Sequence, residues 1–349
     1  MLNVEILEEP ELWDKFLSSV PLDHFAHCWQ WRSIIEGAFK HKPFYLAAFQ
    51  DNEVVGILPL FLGKSPLFGN SLISVPYLNG GGIIAKSEIV FSSLIAKVEE
   101  LKSKLNITYV ELRARHSEKN YRTTKGFPLP LRSHKVAMRL SLPPTTEELF
   151  SSFNKKLRAQ IKRPEKSGVI ARVTSGKTAS LDDFYSVFSR NMRDLGTPVY
   201  PKLYFQLLLE QFPETARCIV CYLDTTPVAA GITIGIQESV EIPCASSLRK
   251  FNSTSANMLL YWTAIEQGLK DGYKFFDFGR SSPDSGTFKF KEQWGATPQT
   301  LHWYYLANPT DVPDVNPNSR KFSLMVKAWK MLPLPIANIL GPYLTRGLP

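Results

Sequence analysis

The chain has 349 residues, of which 44% are hydrophobic. That composition excludes extended disorder, and the length exceeds what one core usually serves, so two domains are expected. The net charge of +9 sits in two tracts: residues 113–139 hold eight basic side chains against Glu118 alone, and residues 155–172 hold seven against Glu165 alone. Such tracts attract phosphates, nucleic acid or an acidic membrane face, or form a solvated surface.

The N-terminus "MLNVEILEEPELW" is acidic and mixed, unlike a signal peptide. A cytoplasmic location with reduced thiols follows as the expectation. His24 and His27, near Cys28, precede an aromatic helix start and read as packing or capping residues rather than metal ligands. Residues 43–62 form an apolar strand, the turn "QDNE" and a second strand containing glycine, as a hairpin does. A helix is predicted over 87–105, with Val90, Leu94, Val98 and Leu101 on one face. A strand at 107–114 follows.

Residues 140–150, "LSLPPTTEELF", have the composition of a linker that caps a helix. Thr145 or Thr146 suits the N-cap, and Glu147 and Glu148 suit the first turn. The helix predicted at 147–163 carries Leu149, Phe153, Leu157 and Ile161 on one side. Lys155, Lys156, Arg158 and Lys162 occupy the other, and Pro164 and Gly168 stop it. A second hairpin spans 216–236. It contains Cys218 and Cys221, three apart on a strand and hence on opposite faces, which argues against a metal or redox pair. A helix over 254–272 presents Leu259, Trp262, Ile265 and Leu269, and leads to a strand at 273–280. The order helix, hairpin, helix, strand thus occurs twice, about 170 residues apart, as a duplicated α/β domain would give.

The second copy ends in the densest stretch, "FFDFGRSSPDSGTFKFKEQWGA". Its strand runs into Asp277 and Arg280, and Lys289, Lys291 and Trp294 follow. An unpaired charge at a buried strand end is costly, so either the Asp–Arg pair locks the loop or something charged is handled here. Trp294 reads as core, and His302 as a strand residue. Beyond it, Phe322, Met325, Val326, Trp329 and Leu332 share one helical face, with Arg320, Lys321, Lys327 and Lys330 around it. Such a helix either lies in a membrane interface or docks on the body. The run "MLPLPIANILGPYL" that follows is too short to span a bilayer and is broken by three prolines and a glycine.

The order of elements and several motifs resemble the FemAB group, built from tandem GNAT-like acyltransferase domains. More narrowly, the chain is similar to FemAB-related proteins of exosortase (PEP-CTERM) exopolysaccharide systems. The matching stretches are "HCWQWRSIIEGAF" (27–39), "VVGILPLFL" (54–62), "NKKLRAQIKRPEKSGV" (154–169) and "RDLGTPVYPKLYF" (193–205), then "NMLLYWTAIEQGLKDGYKFFDFGRS" (257–281) and "FKFKEQWGA" (288–296). The resemblance implies an α/β fold of two tandem GNAT-like domains, at 1–142 and 143–308, with a C-terminal helical tail at 309–349.

It also implies a reaction class, N-acyl or aminoacyl transfer to an amine of a peptidoglycan or exopolysaccharide precursor. The donor is aminoacyl-tRNA or acyl-CoA, and no resident cofactor or metal is expected. Asp277 and Arg280 are the expected catalytic pair. Substrate contacts are expected from Lys155, Lys156, Arg158, Lys162, Tyr200, Ser246, Arg249, Asn257, Tyr261, Ser281, Lys289 and Lys291. In the loop expected before the second long helix, residues 246–259 lack glycine, which makes close backbone approach to a CoA pyrophosphate harder. Gly80, Gly81 and Gly82 stand in the first copy. Partners would be an anionic, or nucleotide- or lipid-linked, saccharide or peptide, or tRNA, with peripheral contact at the inner membrane face through 320–345. A non-catalytic scaffold in polysaccharide export and a nucleic-acid binder remain the alternatives.

Overall fold

The computed structural model of the chain describes residues 1–20, 25–66, 68–117, 120–312 and 320–348. His24 lies outside them. Two compact units emerge: Met1–Val136 with Gln299–Val315 and Arg346–Pro349, and Ala137–Pro298 with Asn316–Thr345.

In chain order the elements begin with β1 (Leu2–Ile6), α1 (Glu11–Ser18), α2 (Trp31–Phe39), β2 (Lys42–Gln50), β3 (Glu53–Ser65), β4 (Gly69–Ile73) and β5 (Ile84–Ala85). Then come α3 (Glu88–Lys104), β6 (Tyr109–Ala114), β7 (Leu131–Arg132), β8 (Val136–Ser141), α4 (Thr146–Ser152), α5 (Lys155–Lys166) and β9 (Val169–Thr174). The second half continues with α6 (Leu181–Leu195), α7 (Lys202–Gln211), β10 (Ala216–Leu223), β11 (Thr226–Ile236), β12 (Ser239–Ser247), α8 (Ala256–Lys270) and β13 (Phe275–Ser281). It closes with α9 (Gly286–Glu292), β14 (Thr297–Thr300), β15 (His302–Leu306), α10 (Arg320–Lys330) and α11 (Leu334–Arg346).

Both expected hairpins form. The first turns at Asp51 and Asn52, whose positive φ values of 51° and 64° suit the tight reversal between β2 and β3. In α3 the side chain of Ser87 caps the Val90 amide, and Val90, Leu94, Val98 and Leu101 are all buried. Each such side chain contributes roughly 1.5–3 kcal/mol of burial free energy. In α8 the buried residues include Leu260, Ala264, Ile265 and Gly268, so the face turned inward is only partly the expected one. A Cβ on Gly268 would come within 2.8 Å of Val240 Cγ1, so small residues there let the helix close on the sheet. Trp262 packs against Phe150 and Phe153 instead.

The sheets exchange strands. The first orders as β1-β2-β3-β4-β6-β15-β7, and the second as β14-β8-β13-β12-β11-β10-β9. β15, from the second half of the chain, pairs antiparallel with β6, from Leu306↔Val110 to His302↔Ala114. β8, from the first half, lies beside β13. The compact units therefore interleave along the chain, and residues 299–306 belong with the first. His302 is a strand residue, as expected.

Two expected boundaries differ. The helix predicted at 147–163 is two helices, because Phe153 and Asn154 take extended backbone, and Asn154 Oδ1 accepts from the Leu157 amide at 2.9 Å to start the second. Pro164 does not stop that helix but sits in its last turn, where one missing amide costs one hydrogen bond. The proline-broken tail run also folds, as α11, with Pro342 inside it.

Candidate functional site

Among the described residues each unit holds a parallel strand pair in register for three residues. In the first unit Ser71, Leu72 and Ile73 of β4 face Tyr109, Val110 and Glu111 of β6. In the second, Ser239, Val240 and Glu241 of β12 face Phe275, Phe276 and Asp277 of β13. Glu111 and Asp277 thus hold the same place in the duplicated fold, at the point where the strands diverge. Parallel neighbours in register point to the same face of a sheet, so Asp277 shares its face with Glu241.

The first fork is filled by its own side chains. The Ser74 amide donates to Glu111 O at 2.9 Å, and the Arg113 amide donates to Ser74 Oγ at 2.7 Å. Arg113 Nε donates to Glu111 Oε1 at 2.6 Å and Nη1 to Leu78 O at 2.7 Å, with the guanidinium 4.7 Å from the Trp303 ring. Both charges are buried, and the pair is bonded well enough to offset part of its desolvation.

The second fork is built differently. Asp277 and Glu241 are 2% and 4% exposed. Asp277 Oδ1 accepts from the Gly279 amide at 2.8 Å, and the left-handed φ of 72° at Gly279 makes that turn. Lys291 arrives from α9, also buried, and its Nζ donates to Gly279 O at 3.0 Å and Arg280 O at 2.9 Å. Burial pulls the Lys291 ammonium down to about 8, against the fields of Asp277 and Glu241 that hold it up, with Arg280 adding to the lowering. Ser281 is buried here with its Oγ lacking a hydrogen-bond partner.

The expected site residues are partly gathered at this fork. Asp277 and Lys291 come together there, Ser281 is buried further along β13, and Arg280 is exposed where that strand ends. Lys289 and Lys291 part company: Lys289 is exposed on α9, whereas the Lys291 amine is engaged inside the protein. Tyr261 stacks on Phe278 at 5.6 Å and meets Phe290 edge-on at 4.9 Å, and burial holds its phenol well above the ordinary range. Glu241 was missed in the sequence, though a glutamate inside "SVEIPCASS" is an acid in a buried strand and was the available signal.

Others lie apart from the fork or serve packing. Ser246 falls within β12 rather than in a loop, and its Oγ accepts from Asn191 Nδ2 at 3.1 Å. Tyr200 belongs to an aromatic cluster with Phe188, Tyr204 and Phe205, and its carbonyl accepts from the Tyr185 hydroxyl. Asn257 is half-buried in the first turn of α8, and Arg249 is exposed just before it. That helix starts at Ser255, with φ of 59°, and the Ala256 and Met258 amides are taken by Thr254 Oγ1 and Ser255 O.

Lys155, Lys156 and Lys162 are exposed on α5 with Arg158 half-buried, and Lys162 lies over the Phe150 ring. A cleft of about 830 Å³ borders the start of this helix, lined by Leu142, Glu148, Phe153, Asn154, Gln293 and Trp294. Its Gln293 and Trp294 directly follow α9, so one short helix links the fork to the cleft. Trp294 is fully buried, in contact with Phe153 and Phe290.

Gly80, Gly81 and Gly82 do not precede a helix directly. They line a cavity of the first unit with His27, Arg115 and His116. A Cβ on Gly82 would lie 2.6 Å from the Tyr121 hydroxyl. His27 is buried and bonds Gly82 O through Nε2 at 2.7 Å. Cys218 and Cys221 are buried, and burial pushes both thiols up to about 12, so they behave as small apolar residues.

A family model described as an acetyltransferase (GNAT) domain matches residues 151–292. No curated protein matches the chain. Among solved structures, FemX superimposes with a TM-score of 0.67 at 14% identity, over 88% of this chain and 98% of its own. L-PGS from Bacillus licheniformis gives 0.56 at 13% identity, over 93% and 96%. A tandem GNAT protein from the clavulanic acid biosynthesis pathway gives 0.57 at 11% identity, over 90% and 100%. The chain has the fold of the FemAB and GNAT acyltransferases, as two mixed α/β units with added C-terminal helices.

Proposed function

We propose that the chain is an aminoacyltransferase acting on an amine of a cell-envelope precursor, with the second unit as its catalytic half. The observation that carries this reading is the difference between the two forks. The first is filled by the Arg113–Glu111 ion pair, two residues apart on β6, while the second holds two buried carboxylates and a buried lysine, with a serine hydroxyl that has no hydrogen-bond partner further along β13.

In the proposed reaction the acceptor amine attacks the carbonyl carbon of the aminoacyl ester. The new C–N bond forms, the C–O bond to the tRNA ribose breaks, and the ribose oxygen leaves with a proton. The amine must shed a proton on the way, and Asp277 is the carboxylate proposed to take it or to orient the amine. Arg280 and Lys289, both exposed, would meet phosphate or carboxylate of the substrate, Arg through its bidentate geometry and Lys as a point charge. Lys155, Lys156 and Lys162 would contact tRNA phosphates, which makes binding steeply salt-dependent.

The tRNA donor is favoured over acyl-CoA by the start of α8. It lacks glycine and satisfies two of its first amides internally, leaving a poor cradle for a pyrophosphate. An acceptor from an exopolysaccharide system of the exosortase type is the finer proposal, and the FemAB resemblance of the fork's stretch supports it.

The test is transfer from radiolabelled aminoacyl-tRNA and, separately, from radiolabelled acetyl-CoA, to a peptidoglycan pentapeptide precursor and to amino-sugar nucleotides, with products read by mass spectrometry. Transfer from tRNA is the expected result. Transfer from acetyl-CoA would overturn the donor, and transfer from neither, with tight precursor binding, would favour the scaffold reading instead.

A further inference from the structure

From Met331 to Thr345 the chain carries no charged side chain, yet α11 is not buried on both sides. Its inward stripe is made of small residues: Ala337 and Thr345 are 1% and 2% exposed, and Gly341 lies between them. A Cβ on Gly341 would come within 2.6 Å of Val199 Cγ1 and 2.7 Å of Val199 N, so the helix backbone rests on the backbone at Val199. The large apolar side chains point the other way. Ile339 and Tyr343 are 65% and 68% exposed, and Ile336, Leu340 and Leu344 are exposed beside them. This inverts the usual amphipathic order, in which bulk goes inward.

The helix is held rather than loose. Trp329 of α10 is buried, and Arg193 Nη1 donates to Leu332 O at 2.8 Å at the corner between α10 and α11. Leu324, Met325 and Met331 are likewise exposed, at 65%, 50% and 84%. Lys327 and Lys330 of α10, the helix that precedes α11, are exposed, and the Lys330 stem runs beside Gly196. The two sequence readings of the tail, docking and membrane contact, are thus compatible: one face docks and the other remains outward.

We infer that the outer face of α11, with the lysines of α10, seats on the surface of an anionic lipid bilayer. The choice of a lipid surface rests on the combination of the apolar face of α11 with exposed cations on the helix before it and no acidic residue in 312–348 other than Asp314. A membrane interface takes up exposed Ile and Leu, suits the amphipathic Tyr343, and attracts Lys327 and Lys330 by its negative potential. No helix among the described residues is long and apolar enough to cross a membrane, so α11 lies in the plane of the interface. The inference is independent of the reaction proposed above.

The experiment is co-sedimentation of the full chain with vesicles of phosphatidylcholine alone and of phosphatidylcholine with phosphatidylglycerol. The chain is expected to bind the anionic vesicles more strongly. Ile339→Asp with Tyr343→Asp should lower the partition coefficient by about tenfold or more, because it places charge in the buried layer. Lys327→Glu with Lys330→Glu should remove the preference for anionic vesicles. Melting temperatures check that the variants fold, and Ile336→Ser with Leu344→Ser is the milder second pair. Absence of vesicle binding, or binding unchanged in both apolar pairs, would overturn the inference. So would a chain that is dimeric by light scattering and made monomeric by either pair, since the face would then be a self-association surface.

Discussion

Replacing Lys291 with methionine removes a buried ammonium while keeping most of the apolar stem. In the wild type this amine titrates at about 8 when folded, against 10.5 ordinarily. Between those two values the unfolded chain holds the proton and the native protein does not, so stability rises with pH across the window. At about 1.4 kcal/mol for each pH unit separating the two values, the rise is on the order of 3 kcal/mol. Below pH 8 both states are protonated and the slope from this group vanishes. The assay is urea unfolding of wild type and Lys291→Met at pH 8 and at pH 10.5. Subtracting the variant cancels the tyrosines and cysteines that titrate in the same range. The offset at neutral pH is a balance, since the substitution relieves a buried charge but strands the carbonyls of Gly279 and Arg280. The slope therefore carries the test. A wild-type-minus-variant difference that stays flat within about 0.5 kcal/mol, the usual scatter for a surface change, would refute the placement of Lys291 as a buried amine between two carboxylates.

Arg113→Met should cost about 3 kcal/mol or more in urea unfolding, because Glu111 is left buried without its cation; a loss near zero would mean the pair is open to solvent. Asn154→Ala should cost about 1 kcal/mol in the same assay by uncapping α5, and circular dichroism should show a small loss of helix. Arg280→Ala should abolish transfer with an unchanged melting temperature, since the side chain is exposed. An equal fall in stability would assign Arg280 to holding the loop.

Much of the architecture was readable from the chain. Turn residues at Asp51–Asn52 and the three-and-four spacing in α3 specify local structure with few competitors. The exchange of β8 and β15 was not readable, because any alternating apolar strand fits either sheet, and nothing local names its partner. β12 was lost for a related reason: Glu241, Pro243 and the terminal serines break its apolar run, which moved Ser246 into an imagined loop. At the candidate site, Asp277 and Lys291 stood out as charges amid aromatics. That Lys291 would turn inward and Lys289 outward depends on the rotation of α9, a seven-residue helix of about two turns whose phase the sequence pattern leaves undetermined. A helical tail was readable in outline, but its proline-containing run was not read as a single helix; Pro335 falls in the first turn of α11, where its missing amide costs little, and Pro342 sits within the helix.

The strand exchange constrains how the protein comes into being. As the ribosome extends the chain, β6 is made about 190 residues before the strand that will cover its edge, so the first sheet has to wait, with that edge open, for most of the protein to emerge. A fragment ending near residue 142 would carry a strand that belongs elsewhere and lack one that it needs. Recombination at the apparent midpoint would meet the same obstacle. Each half of the duplication has become a required folding partner of the other, and this pair can be inherited only together.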